Sequence, residues 1–236
     1  VLKDSDGNEL TVTDGAITGK TTKENPTDGN TFIIYRGAQP SNFELRLQFR
    51  IVGGNSGVQY RSKEVNKWVV GGYQADFDGA GAWTGTLYEE RGRGVLAKRG
   101  NRVVIDGEGK KTRVAATTGE QDILATINKE GWNDYTIIAD GNHLVQIVNG
   151  NVTIDVTDNQ TVKAATKGLL ALQLHAGPPM TVQFKNIRIR NLPVKQKKIA
   201  LIAGVRSHGY GSHEHFAGCM ILADAIRSAK PDYAVD

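Results

Sequence analysis

The stretch from Ala165 to Arg190, A-T-K-G-L-L-A-L-Q-L-H-A-G-P-P-M-T-V-Q-F-K-N-I-R-I-R, constrains the fold of this chain more than any other. Leu170, Leu172 and Leu174 alternate with Ala171, Gln173 and His175. Successive side chains of a β-strand point to opposite faces. One face is therefore purely apolar and belongs against a core, while the other carries an amide beside an imidazole. After the Pro178-Pro179 turn, Val182 and Phe184 keep one phase and Ile187 and Ile189 the other. A phase switch within one strand predicts a bulge near Lys185 or Asn186.

The same texture runs over residues 1–192. Phe43, Leu45, Leu47, Phe49 and Ile51 alternate with Glu44, Arg46, Gln48 and Arg50, as in a half-buried antiparallel strand. Asn149-Gly150 separates two β-rich runs and predicts a two-residue type I′ hairpin, in which both central residues need positive φ. The 28 glycines and the turn signals about every ten residues suit many short strands. Together these features predict an all-β, two-sheet sandwich.

The texture changes after P-V-K-Q-K-K, residues 193–198, which read as a linker. Ile199 to Ala203 is expected to be a short apolar strand. A helix is expected from Ser212 as N-cap, with Phe216, Met220 and Ala223 on one face and Ala217 and Ile221 beside it. A strand and a helix are half of a parallel α/β unit. Residues 199–236 thus form a strand-helix extension, through which oligomerisation is an expectation.

Composition narrows the function. A net charge of +4, with Lys and Arg scattered and no basic stripe among aromatics, argues against nucleic acid. No apolar run is long enough to span a bilayer. The single cysteine, Cys219, excludes an internal disulfide. The chain starts at Val1 rather than Met, as expected of a processed product whose export signal has been removed. On that reading its location is periplasmic or secreted.

Strand parity collects the polar candidates. Gln59 and Arg61 share a face opposite Val58 and Tyr60, and Gln74 and Asp76 share one opposite Tyr73, Ala75 and Phe77. Tyr88 and Glu90 lie opposite Leu87 and Glu89, and Gln173 accompanies His175. Neighbouring strands would build a patch of Arg, carboxylate, His and amides. Such groups suit a carbohydrate, whose hydroxyls need paired donors and acceptors, and Trp68, Trp83 or Tyr88 could stack on a sugar ring. The plainer reading is that any antiparallel sheet has a polar outer face crossed by Arg–Asp and Arg–Glu pairs. Gly57, Gly71, Gly72 and Gly85 favour the functional reading, because strand glycine is tolerated where something approaches the backbone closely. His208, His213, Glu214 and His215 form a second cluster, whose spacing is not H-E-x-x-H. A zinc site, an anion site at the helix N-terminus and a plain capping cluster are the alternatives there.

The segments F-E-L-R-L-Q-F-R, N-S-G-V-Q-Y-R-S, G-Y-Q-A-D-F-D, T-G-T-L-Y-E-E-R-G-R-G, G-W-N-D-Y-T-I, V-N-G and L-Q-L-H-A-G-P-P-M-T-V-Q-F-K-N-I-R-I-R occur in one order from about Asp14 to Leu192. They resemble the 3-keto-disaccharide hydrolase family. That resemblance implies a concanavalin-A-like jelly-roll sandwich acting on a glycoside already oxidised at C3. Many members carry Glu where this chain has Gln74. A C3 ketone acidifies the C2 proton, so a base can generate an enolate that expels the C1 substituent before water adds. This chemistry needs a base, a donor to the enolate oxygen and an acid for the leaving group. His175 is the expected base and Arg61 the enolate stabiliser, with Asp76, Glu90 or Glu89 as acidic partners. Asn55, Gln59, Gln74, Trp83, Tyr88 and Gln173 are expected to bind the carbohydrate substrate. No cofactor is demanded, a divalent metal being the alternative electrophile. A carbohydrate-binding module would need the amides and aromatics but no base, and a conventional glycosidase would need two acids across one cleft. K-I-A-L-I-A-G and H-G-Y-G-S-H-E-H-F-A-G-C-M-I-L-A, near the C-terminus, resemble the opening of a trehalose-utilisation-type, glutamine-amidotransferase-like domain.

Overall fold

The computed structural model describes residues 2–3, 9–193, 197–205, 209, 214–230 and 233–235. The strands in chain order are β1 (Leu2–Lys3), β2 (Glu9–Thr13), β3 (Ala16–Thr21), β4 (Thr31–Tyr35), β5 (Phe43–Val52), β6 (Asn55–Asn66), β7 (Val69–Asp78), β8 (Thr86–Glu90) and β9 (Gly94–Ala97). They continue with β10 (Asn101–Ile105), β11 (Lys111–Ala116), β12 (Asn133–Asp140), β13 (His143–Val148), β14 (Asn151–Asp158), β15 (Leu169–Leu174), β16 (Met180–Asn191), β17 (Lys197–Ile199) and β18 (Tyr233–Val235). Two helices, α1 (Glu120–Thr126) and α2 (His215–Ala229), complete the described elements. The chain divides into two compact units, 1–193 and 194–236.

The first unit is a β-sandwich. Among the described residues, one sheet has ten strands in the order β1-β2-β3-β16-β5-β12-β13-β14-β10-β11, and the other six in the order β4-β15-β6-β7-β8-β9. Their facing sides supply a single apolar core. The alternation in β5 places Phe43, Leu45, Leu47, Phe49 and Ile51 in it. Val58, Tyr60, Tyr73, Ala75, Phe77 and Leu87 enter from the six-stranded sheet. Aromatic rings tie the layers together: Phe49 stands 4.0 Å from Phe77 and Phe77 5.9 Å from Phe184, centroid to centroid. Offset and edge-on ring pairs of this kind add to the burial term.

Local expectations are met at several points. Asn149 and Gly150 have φ of 48° and 82°, the positive pair of a type I′ turn joining β13 to β14. The pairing of β16 with β5 slips between Lys185 and Arg188, with Asn186 at φ 53°. This bulge carries Ile187 and Ile189 out of the phase of Val182 and Phe184, and both are more than 40% exposed.

The second unit departs from expectation. The strand ends at Ile199 instead of spanning Ile199 to Ala203, and residues 200–205 form no strand. Residues 197–198, assigned to the linker, are part of it. β17 pairs in parallel with β18 across α2, so a whole βαβ connection is present where the sequence suggested half. Helix α2 starts at His215, and the expected N-cap Ser212 lies outside the described residues. Ala223 is its buried residue, whereas Phe216, Met220 and Ile221 are exposed. No described helix is long and apolar enough to cross a membrane.

Candidate functional site

Strands β15, β6, β7 and β8 lie side by side in the six-stranded sheet, and the site is built on the face they turn away from the core. Their register sets the rows. Gln59 pairs with Gln74 and Gln74 with Tyr88, while Gly57 pairs with Asp76 and Asp76 with Thr86. Asn30, Asn55, Gln74, Asp76, Trp83, Tyr88, Glu90 and His175 line an open cleft of about 370 Å³. The strand parity of Asp76, Gln74, Tyr88, Glu90 and His175 therefore brings them together as the sequence suggested. Asn30 was missed, because it stands in a loop before β4 with no periodicity to mark it. Its Oδ1 accepts from the Ala176 amide at 3.0 Å and holds the turn that carries His175.

His175 follows the last residue of β15. Its Nδ1 bonds the carbonyl of Ala176. A carbonyl oxygen can only accept, so Nδ1 carries the hydrogen, and Nε2 of the neutral ring is left with a lone pair. Trp83 sits in the loop after β7. The Asp78 carboxylate gathers that loop by accepting from the amides of Ala82 (3.0 Å), Trp83 (2.7 Å) and Thr84 (3.2 Å). Asp78 is thus a turn-former that presents the indole. Trp68 lies elsewhere, under the guanidinium of Arg36 at 5.6 Å.

Asp76 is the most perturbed group in the cleft. It is 5% exposed, and its Oδ1 accepts from Asn55 Nδ2 at 3.1 Å and Gln74 Nε2 at 3.3 Å. Burial opposes ionisation most strongly. The two side-chain amides and the Phe77 backbone N–H favour the charged form and nearby Asp78 disfavours it, and the balance pushes the carboxyl up to about 7. Among the described residues, no Lys or Arg lines this cleft.

Arg61 is a correction to the parity argument. The β6–β7 pairing slips between Tyr60 and Lys63, and Arg61 takes φ 46°. The bulge turns Arg61 off the face of Gln59. Its guanidinium instead donates to the carbonyls of Ser41 (2.8 Å) and Gly141 (2.6 Å) and to Asn42 Oδ1 (3.2 Å), pinning loops together. Burial lowers its pKa. Glu89 is a second correction. It points opposite to Glu90 and grips Arg93 through both oxygens, at 2.7 and 2.8 Å. Arg93 also chelates Asp158 at 3.1 and 2.7 Å, and Tyr73 donates its hydroxyl to Asp158 at 2.6 Å.

Gln59 and Gln173 lie on the expected face but do not line the cleft, being 0% and 1% exposed. The glycines also read differently. A Cβ on Gly57 would stand 2.4 Å from Gln74 Cγ, one on Gly72 2.5 Å from Ser62 Oγ, and one on Gly85 2.8 Å from Thr153. What approaches these backbones is the protein's own side chains. Among the described residues, no three His, Cys, Asp or Glu side chains are grouped to hold a metal ion. His208 and His213 lie outside the described residues.

The six-stranded sheet of the sandwich thus carries an outward cleft of amides, carboxylates and an imidazole flanked by aromatic rings. The chain belongs to the 3-keto-alpha-glucoside-1,2-lyase-like domain family, whose model matches residues 2–190. Among solved structures, a Bacillus subtilis protein of unknown function with a galectin-like fold superposes with a TM-score of 0.53 at 9% identity, covering 78% of this chain and 86% of that one. The carbohydrate-binding module CBM66 of Bacillus subtilis is 16% identical with a TM-score of 0.48, over 78% of this chain and 98% of that chain. A candidate glycosyl hydrolase of Parabacteroides distasonis is 21% identical with a TM-score of 0.48, over 78% and 90%. At such identities the first of these likenesses speaks to the sandwich fold alone. No curated protein sequence matches the chain.

Proposed function

We propose that the chain cleaves 3-keto-glycosides by removing the C2 proton, expelling the C1 substituent and adding water to the unsaturated product. The observation that supports this most is the company in the cleft. A histidine whose Nε2 is left as a base lines the same space as a buried carboxyl that no cation neutralises. Proton abstraction next to a ketone needs that combination of a base and a neutral hydrogen-bond donor to the enolate oxygen. With Arg61 turned away, protonated Asp76 takes the role of donor to the oxygen on C3. Nε2 of His175 takes the C2 proton. The C2–H pair becomes the C1–C2 double bond as the C1–O bond breaks, and Glu90 supplies the proton of the departing oxygen. Trp83 and Tyr88 flank the cleft as stacking surfaces, with Asn30, Asn55 and Gln74 as amide partners for hydroxyls.

A conventional glycosidase would need two carboxyls across the cleft. Glu89 is committed to Arg93, so Asp76 and Glu90 are the pair that remains. Residues 197–235 lie outside the family match; the likeness of this tail to a trehalose-utilisation-type domain rests on its own residues, and we assign it no activity.

Incubation with a 3-keto-glucoside and, separately, with its unoxidised parent tests the reading. Cleavage of the ketone alone is expected, with exchange of the C2 hydrogen into solvent. Cleavage of the parent would establish a glycosidase, and binding of either without turnover a carbohydrate-binding module. His175→Ala should lower turnover by about 10²–10⁴-fold, the range for a positioned acid or base. Unaltered turnover in that variant would remove His175 from the mechanism.

A further inference from the structure

A line of hydrogen bonds runs under the cleft across two strands. Ser62 Oγ donates to Gln59 Oε1 at 2.7 Å, and Gln59 Nε2 donates to Gln74 Oε1 at 2.6 Å. Gln74 Nε2 then donates to Asp76 Oδ1 at 3.3 Å and to Gln173 Oε1 at 3.4 Å. Every amide in the line is oriented the same way, and its polarity is set from the carboxyl end. Oδ1 of Asp76 also accepts from Asn55 Nδ2, and a carboxyl oxygen without a proton only accepts, so Gln74 turns its nitrogen to Asp76 and its oxygen to Gln59. Gln59 then turns its own oxygen to the Ser62 hydroxyl, whose hydrogen the carbonyls of Tyr60 at 3.0 Å and Tyr73 at 3.4 Å also face at longer range. The β6 bulge makes this arrangement, since it turns Arg61 away and brings Ser62 to the face of Gln59. Gly57 makes it too, because Gln74 lies across the space a Cβ would take.

The second side-chain donor to Asp76, Asn55 Nδ2, also lands on Oδ1. An oxygen that accepts two N–H bonds is the carbonyl oxygen of the neutral acid. We propose that the Ser62–Gln59–Gln74 relay is a positioning device for Asp76, which holds the proton of its neutral form on Oδ2 and so fixes the direction in which that acid can donate. Gln59 and Ser62 never reach substrate; they act through Gln74. The use of this proton at an enolate oxygen rests on the function proposed above, whereas its placement does not. Aligned neighbours polarise one another, so the first hydroxyl contributes to the last bond.

The titratable groups facing Asp76 are Glu90 on β8, His175 after β15 and Asp78 on its own strand, and the relay must be separated from all three. The experiment is a carbon-detected NMR titration of the side-chain carboxyls of the full chain without substrate, with Asp76→Asn assigning the signal. Gln74→Met removes a donor to the charged form, so the Asp76 midpoint should move up by roughly one pH unit. Ser62→Ala should move it the same way by less. The same shifts should persist in a Glu90→Gln background. If both variants lose thermal stability while Asp76 titrates as in the parent, the relay is only structural and the proposal falls. Should Gln74→Met fail to fold, Ser62→Ala decides alone. A moving midpoint in a protein that leaves 3-keto-glycosides untouched would reject the lyase reading and keep the relay.

Discussion

Asp158 and Asp76 are both withdrawn from water, at 1% and 5% exposure, and they are held in opposite ways. Asp158 sits under a two-pronged Arg93, which is clasped in turn by Glu89, with the Tyr73 hydroxyl completing the shell. Burial by itself would lower the Arg93 pKa, but the bonds from Glu89 and Asp158 outweigh it and raise it. Asp76 has amides where Asp158 has a guanidinium. A buried carboxylate bound to a cation is spent on the scaffold. One surrounded by neutral donors keeps a proton it can offer. The two carboxyls belong to opposite sheets, Asp158 ending β14 of the ten-stranded sheet and Asp76 standing in β7 of the six-stranded one, and β7 serves both: its inner side sends Tyr73 to Asp158 while its outer side carries Gln74 and Asp76.

The contrast has measurable edges. Asp76→Asn should lower turnover of a 3-keto-glycoside by at least about 10²-fold, the low end for a positioned acid, while the protein melts at or above the parent temperature at neutral pH. Parent-like turnover would put Asp76 in the same class as Asp158. Conversely, Arg93→Met leaves Asp158 and Glu89 buried without their cation. It should cost about 3–5 kcal/mol in urea unfolding, as breaking a buried pair from one side does. A loss under about 1 kcal/mol, the value of an exposed pair, would end the idea that this cluster is structural.

The third edge is a pH dependence. In the unfolded chain Asp76 ionises near the ordinary 3.8, whereas in the fold its midpoint lies at about 7. Between those values the folded protein retains a proton that the unfolded chain has released. Raising pH through this window therefore favours unfolding, by up to about 1.4 kcal/mol per pH unit. Stability from this group is fully present below about pH 4 and lost as pH passes 7. Urea midpoints of the parent and Asp76→Asn should converge at low pH and separate in favour of the variant above neutrality. Parallel curves would contradict a raised midpoint.

Much of the sandwich was legible in the sequence because strand parity is a local rule. The alternation of Phe43 to Ile51, the Asn149-Gly150 turn and the slip at Lys185–Asn186 each need only a few neighbouring residues. The cleft residues Asp76, Glu90, Tyr88 and His175 followed from the same rule. It failed at Arg61 because a bulge inverts parity, and nothing in Y-R-S-K marks a residue that will adopt φ 46°. Glu89 could be placed on the inner side by parity, and its ion pair with Arg93 spans only four positions, but the third member of the cluster, Asp158, meets Arg93 across 65 positions of chain that parity cannot bridge. In the tail, the apolar run Ile199 to Ala203 has the composition of a buried strand, whereas the strand pairing there joins Lys197–Ile199 to Tyr233–Val235.

Gly57 ties two positions into one unit of inheritance. Its missing side chain is the berth of Gln74, so any other residue at 57 must evict Gln74, and any shorter residue at 74 leaves a hole above 57. Each change alone harms the molecule for a different reason, and the two harms partly cancel when combined. Descendants of this sequence can alter the pair together more readily than they can alter either one, and a two-site mutational library should show this as strong epistasis between adjacent strands.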